Sequence, residues 1–314
     1  MPDPMLFLTA MSAAALTAAA MLLICGWPWR TPRPGWVSLG GVLGAGLGFY
    51  VGCGWLGVRP HWPPQEDQDR LLLLLIPAFL VVEVAAALLE HWRWLGWSLR
   101  LVLAAGAARI LLHNTTYLTE LAGPGSREWT TTQIWLILGG LALSLAGAWV
   151  ALSWLAAPGR SVPLAVALTC AGAAVTIMLS GYASGGQMGL PLAAAVAGAT
   201  LATLFLTGRP VPQGVLGLGI VGLFALLVVG RFFGQLPTGN AALLFLAPLL
   251  GWLSEGPYLR RLRPGNRGLL RVVFTLLPLA LVLVLAHQQF AANSVPPSAG
   301  SKEPTLQDYM DFGK

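Results

Sequence analysis

Charge is what this sequence has least of. Asp, Glu, Lys and Arg make up 10% of the chain, against about 25% in soluble domains. With 56% hydrophobic residues, too few polar groups remain to cover a water-soluble globule, and that class is excluded. Catalytic signatures are missing as well. No GxxxxGKS/T, GxSxG, HExxH or paired CxxC occurs, so the chemistries those motifs support find no anchor. The four histidines, His61, His91, His113 and His287, lack ligand spacing, and neither a metal nor another cofactor is expected. The three cysteines, Cys25, Cys53 and Cys170, sit singly in apolar runs. They read as small buried hydrophobes rather than a disulfide framework. No catalytic residue stands out, so the reading leans away from an enzyme without closing that class.

What is present is a series of apolar runs punctuated by Pro, Gly and Arg. A helix needs about 20 residues to cross the hydrocarbon core. The runs read as about ten transmembrane helices, over 5–26, 36–56, 71–89, 95–113, 132–155, 162–180, 189–207, 213–231, 238–254 and 269–287. The expected fold class is therefore all-α, a polytopic integral membrane helix bundle filling residues 1–290. The remainder, 291–314, is polar and Pro-containing and reads as a disordered C-terminal tail. The first run lacks a positive flank and is too long for a signal-peptide core, so it is expected to be retained.

The few charges sort by loop. Arg30, Arg33, Arg93, Arg100, Arg160, Arg209, Arg260, Arg261, Arg263, Arg267 and Arg271 fall on one side, eleven in all. Six, Arg59, Arg70, Arg127, Arg231, Lys302 and Lys314, fall on the other. The positive-inside rule puts the eleven in the cytoplasm and both termini outside it. The net charge of +6 is thus a matter of orientation and lipid headgroups, not of nucleic acid. Arginine outnumbers lysine 16 to 2 in an Ala-, Gly- and Leu-rich chain, a bias expected of a GC-rich bacterial genome and hence of a bacterial inner membrane. Tryptophans near the span ends, among them Trp36, Trp55, Trp62, Trp149 and Trp154, read as an interfacial belt. The stretch from Leu88 to Arg100 has only Gly96 as a turn former. It is either a tight hairpin or a short interfacial helix.

"GRSVP" at 159–163 returns as "GRPVP" at 208–212. At the same offset Gly181 pairs with Gly230 and Gly185 with Gly234, and Gln187 matches Gln235 after a slip of one. These echoes make 159–206 and 208–254 candidate tandem hairpins, running in the same sense. Gln187, Gln235 and Asn240 are their polar loop candidates. In "PPQEDQDR", Glu66, Asp67 and Asp69 are suited to cap the helix that follows.

Two charges lie where water cannot easily reach, Glu83 and Arg109. An ionisable group at such depth is a functional candidate by default. They are expected to pair, with Arg100 as the alternative partner across the turn. Two functions fit. A permease-like or lipid-handling carrier would explain the broken helices and intramembrane charge. A non-catalytic anchor or assembly subunit of an envelope complex would explain the scarcity of polar residues within the helices. The expected partners are the lipid bilayer and other membrane proteins, with the small-molecule substrate left unidentified.

Overall fold

The computed structural model describes residues 4–26, 34–89, 91–119, 128–156, 159–206, 211–256, 259 and 262–293. All of the tail beyond Asn293 lies outside the described residues, as do Arg30, Arg33, Arg127, Arg209, Arg260 and Arg261. Every regular element described is helical, the form in which a chain in hydrocarbon can satisfy its own backbone. The elements run α1 (Pro4–Gly26), α2 (Pro34–Trp55), α3 (Asp67–Arg70), a π turn (Leu71–Leu75), α4 (Ile76–Leu88) and α5 (Arg93–Leu111). There follow α6 (Thr131–Ala156), α7 (Ser161–Leu179), α8 (Ala183–Gln187), α9 (Gly189–Ala202) and α10 (Gln213–Phe232). The last are α11 (Thr238–Leu246), a 3₁₀ segment (Ala247–Glu255) and α12 (Pro264–Asn293).

Eight helices are long and apolar enough to cross a membrane, counting Asp67–Leu88 as one. That is compatible with a multi-pass membrane protein. The other two expected spans are not single long helices. The one at 189–207 falls on the 14-residue α9, with the separate α8 just before it, and the one at 238–254 passes from α11 into the 3₁₀ segment. Pro248 accounts for the second change, because it has no N–H to give the carbonyl four residues back.

Side-chain contacts divide the bundle into two ends. At one, Arg160 donates from Nε to Thr203 Oγ1 at 2.8 Å. There Arg271 donates to Ser161 Oγ at 3.2 Å and to Ser254 Oγ at 3.1 Å. The start of α7, the end of α9, the end of the 3₁₀ segment and the start of α12 are therefore level. At the other end, Gly230 of α10 abuts Ile177 of α7, and Gly234 abuts Tyr182. The Tyr182 hydroxyl donates to Asp67 Oδ1 at 2.7 Å, and that of Tyr117 to the Phe232 carbonyl at 3.3 Å. So α7 and α10 run in the same direction, and each is followed by a chain segment that returns to the Arg160 end.

Buried along nearly its whole length, α10 forms the centre. Its glycines let neighbours approach from several sides. Gly217 meets Phe79 and Trp149, Gly219 meets Val166, and Gly222 meets Leu192. On the periphery, Gly44, Gly48 and Gly52 of α2 lie against the carbonyls of Ala18, Ala14 and Ala10 of α1. This is the small-xxx-small packing that holds helices together where no hydrophobic force separates protein from lipid.

The π turn leaves one carbonyl to be served from outside the helix. In the π register the Leu72 carbonyl would accept from the N–H five residues on, which is Pro77 and has none. Tyr50 OH donates to that carbonyl at 2.5 Å instead.

Some expectations change. Trp149 is not in the interfacial belt; it is 2% exposed and packs on Phe79 at 5.9 Å between centroids. The stretch after Leu88 is a tight hairpin closed by Trp92 N–H to the Leu89 carbonyl at 2.8 Å, not an interfacial helix. Gly181 stands in a turn while its sequence partner Gly230 is inside α10. The offset of 49 therefore does not hold residue by residue. The helix α10 begins three and ends four residues later than that offset from α7 would place it.

Candidate functional site

Glu83 belongs to the buried face of α4, with Phe79 one turn and Ile76 two turns before it. Arg100 belongs to the buried face of α5, with Gly96, Leu103, Ala104 and Ala107. The short turn between α4 and α5 brings these faces together. Arg100 Nε donates to Glu83 Oε1 at 2.6 Å and Nη2 to Oε2 at 2.8 Å. The pair is bidentate, with Glu83 2% and Arg100 7% exposed. The third guanidinium nitrogen donates to Gln213 Oε1, the first residue of α10, at 3.4 Å. The Trp97 ring covers the guanidinium at 5.1 Å. A Cβ on Gly214 would come within 3.2 Å of Glu83 Oε2 and overlap Val42, so the lack of a side chain there lets α10 close over the pair.

Each charge of this site is answered by the other. A fork of two parallel hydrogen bonds is the strongest form of the contact, and the low dielectric around it strengthens it further. Chemically it is a clamp that fastens α4, α5 and the start of α10 together at the Arg160 end.

Arg109 is not part of it. It is exposed, and nine residues at about 100° each put it half a turn away from Arg100. The expected Glu83–Arg109 pair is therefore replaced by Glu83–Arg100. Gln187 is half-buried at the end of α8, and Gln235 is exposed before α11. Asn240 is 7% exposed near the start of α11, with Nδ2 unpartnered among the described residues. None of the three contributes a hydrogen bond to the Glu83–Arg100 pair among the described residues. No group of His, Cys, Asp and Glu able to hold a metal occurs among the described residues.

Two further polar centres were not anticipated. Arg271, buried in α12, donates to Glu255, Ser254 and Ser161. In the sequence it reads only as one more cytoplasmic arginine. Tyr182 joins Asp67 to the α7–α8 turn, and burial together with that hydrogen bond pushes its phenol above the usual value, so it stays a donor. Its one local signal is Gly185, three residues on, whose lack of a side chain leaves room for the ring.

Against known proteins, the chain matches no family model, no curated protein and no solved structure.

Proposed function

We propose that the chain is a ten-crossing carrier of the bacterial inner membrane, with both termini outside the cytoplasm and residues 159–206 and 208–254 as tandem hairpins. The observation that carries this reading is the pair of broken return segments. Each candidate hairpin has one straight helix, α7 or α10, and one interrupted return, α8–α9 or α11 with its 3₁₀ extension. From Ala183 to Ala202 is about 30 Å at the α-helical rise. Nine α and nine 3₁₀ residues from Thr238 to Glu255 also reach about 30 Å. Both lengths match the hydrocarbon core. Interrupted helices in paired positions are where carriers place their solute and ion sites. The described arginines support the orientation, since Arg93, Arg100, Arg160, Arg263, Arg267 and Arg271 gather toward the Arg160 end.

A carrier must bind its solute in the folded state alone. A screen of small solutes should therefore find one that stabilises the purified, monodisperse protein. Stabilisation is about 2.7 kcal/mol at a hundredfold excess over the dissociation constant.

One observation favours the second reading, a membrane anchor or assembly subunit. The outward face of α6 carries Gly140, Ser144 and Gly147, all exposed, and no neighbour lies within 4 Å of a Cβ built on Gly140 or Gly147. Small residues at this spacing suit a partner helix. A stoichiometric membrane protein that co-purifies in mild detergent, with no stabilising solute, supports the subunit and overturns the carrier.

A further inference from the structure

From the contrast between two neighbouring carboxylates, we infer that Asp67 is a proton-binding site, with Tyr182 as the contact that passes its state to both candidate hairpins. Asp69 is fully served. It accepts backbone N–H groups from His61 at 2.9 Å, Gln65 at 3.2 Å and Glu66 at 3.3 Å. Asp67, two residues earlier and 4% exposed, accepts Tyr182 OH on Oδ1 and has no partner on Oδ2 among the described residues. Arg70 stands one turn on and is also 4% exposed, yet it does not neutralise Asp67 by contact. Its Nη1 goes to the Leu111 carbonyl at 3.2 Å, its Nη2 to the Gln65 carbonyl at 2.7 Å, and its Nε has no partner.

A buried carboxylate oxygen without a donor is costly when charged and much less so when protonated. The proton comes from water and neutralises the carboxylate, while Tyr182 can donate to Oδ1 in either state. The charge of Arg70 opposes any added positive charge at the site, a divalent metal ion more strongly than a proton.

Tyr182 is placed to transmit the change. It follows Gly181, whose φ of +90° only glycine adopts without strain. Its ring lies over Gly185, and its Cβ comes within 3.0 Å of a Cβ built on Gly234. One residue thus touches the helix that starts at Asp67, the break of the first hairpin and the outer turn of the second.

Several other groups surround Asp67. Glu66, Asp69 and Arg70 are on its own segment and His61 is in the loop before it. Tyr182 faces it from the α7–α8 turn. From α5 comes the Leu111 carbonyl, with His113 nearby in sequence but exposed. His61 is the main competitor, its Nδ1 lying 4.0 Å from Asp69 Oδ1.

Thermal unfolding of the full-length protein in neutral detergent tests the site without reference to transport. If the folded state holds the extra proton, Asp67 contributes stability that grows as pH falls toward about 4, the ordinary Asp value. Asp67→Asn should flatten this slope, and at high pH should melt at or above wild type. His61→Gln should leave the slope in place. A slope that survives Asp67→Asn, or that His61→Gln removes, overturns the proposal. Should Asp67→Asn fail to fold, infrared difference spectra decide. A protonated-carboxyl C=O band that appears on acidification and moves in Tyr182→Phe supports Asp67, and a band indifferent to Tyr182 overturns it.

Discussion

Glu83 shows how one residue's environment selects its partner. Burying two charges is costly, and the cost is recovered only when both are present and well aligned. Glu83→Ala would leave Arg100 charged among α4, α5 and α10 and should cost about 3–5 kcal/mol. The double variant Glu83→Ala/Arg100→Ala should lose less than the sum of its parts, and a double-mutant cycle on thermal stability measures that difference. Arg109→Ala should stay within about 0.5 kcal/mol of wild type, as expected of an exposed residue. The choice between the two arginines was not legible in the sequence, where small and apolar residues surround both. Arg100 shares a helical face with Leu103, Ala104 and Ala107, whereas Arg109 is half a turn off it. Small residues around Arg109 pointed the other way, because they permit close packing without saying which face packs.

At the scale of elements, composition marked most helices, and Pro248 marked the break at which α11 passes into the 3₁₀ segment. The π turn depends on Pro77 and on a tyrosine 22 residues away from the carbonyl it serves, a pairing no local pattern announces. Tyr50→Phe should cost about 1–3 kcal/mol by orphaning the Leu72 carbonyl. In a Pro77→Ala background, where a backbone N–H becomes available, the same change should cost less. Comparing the two by thermal unfolding checks whether Tyr50 stands in for the missing N–H. The α1–α2 seam makes a second prediction. Gly48→Leu would drive a side chain into the Ala14 carbonyl, 2.5 Å from the first added carbon. It should destabilise by about 1–3 kcal/mol or more. Gly54→Leu, on the same helix with nothing within 4 Å, should be tolerated.

For the whole molecule, hydropathy and arginine placement carried the membrane character and the sorting of loops into two sets. The internal offset did not carry equivalence, since Gly181 and Gly230 occupy a turn and a helix interior. What the two stretches share is the order of elements, a long helix followed by an interrupted return. Glu83–Arg100, Arg160–Thr203 and Arg271–Glu255 all fasten the Arg160 end. At the opposite end Tyr182–Asp67, Tyr117–Phe232 and Arg70–Leu111 make the corresponding ties.

The central claim is that α8–α9 and α11 with its 3₁₀ extension each cross the membrane, which puts Ser184 and Gly239 on the side opposite Gly159 and Gly265. Ser184, Gly239 and Gly265 are exposed and Gly159 is half-buried, so single cysteines at these positions, in a background without the native three, can report sidedness. A membrane-impermeant thiol reagent applied from outside should label positions 184 and 239 in intact cells, and 159 and 265 only after permeabilisation. Labelling 184 or 239 together with 159 and 265 would contradict the ten-crossing bundle.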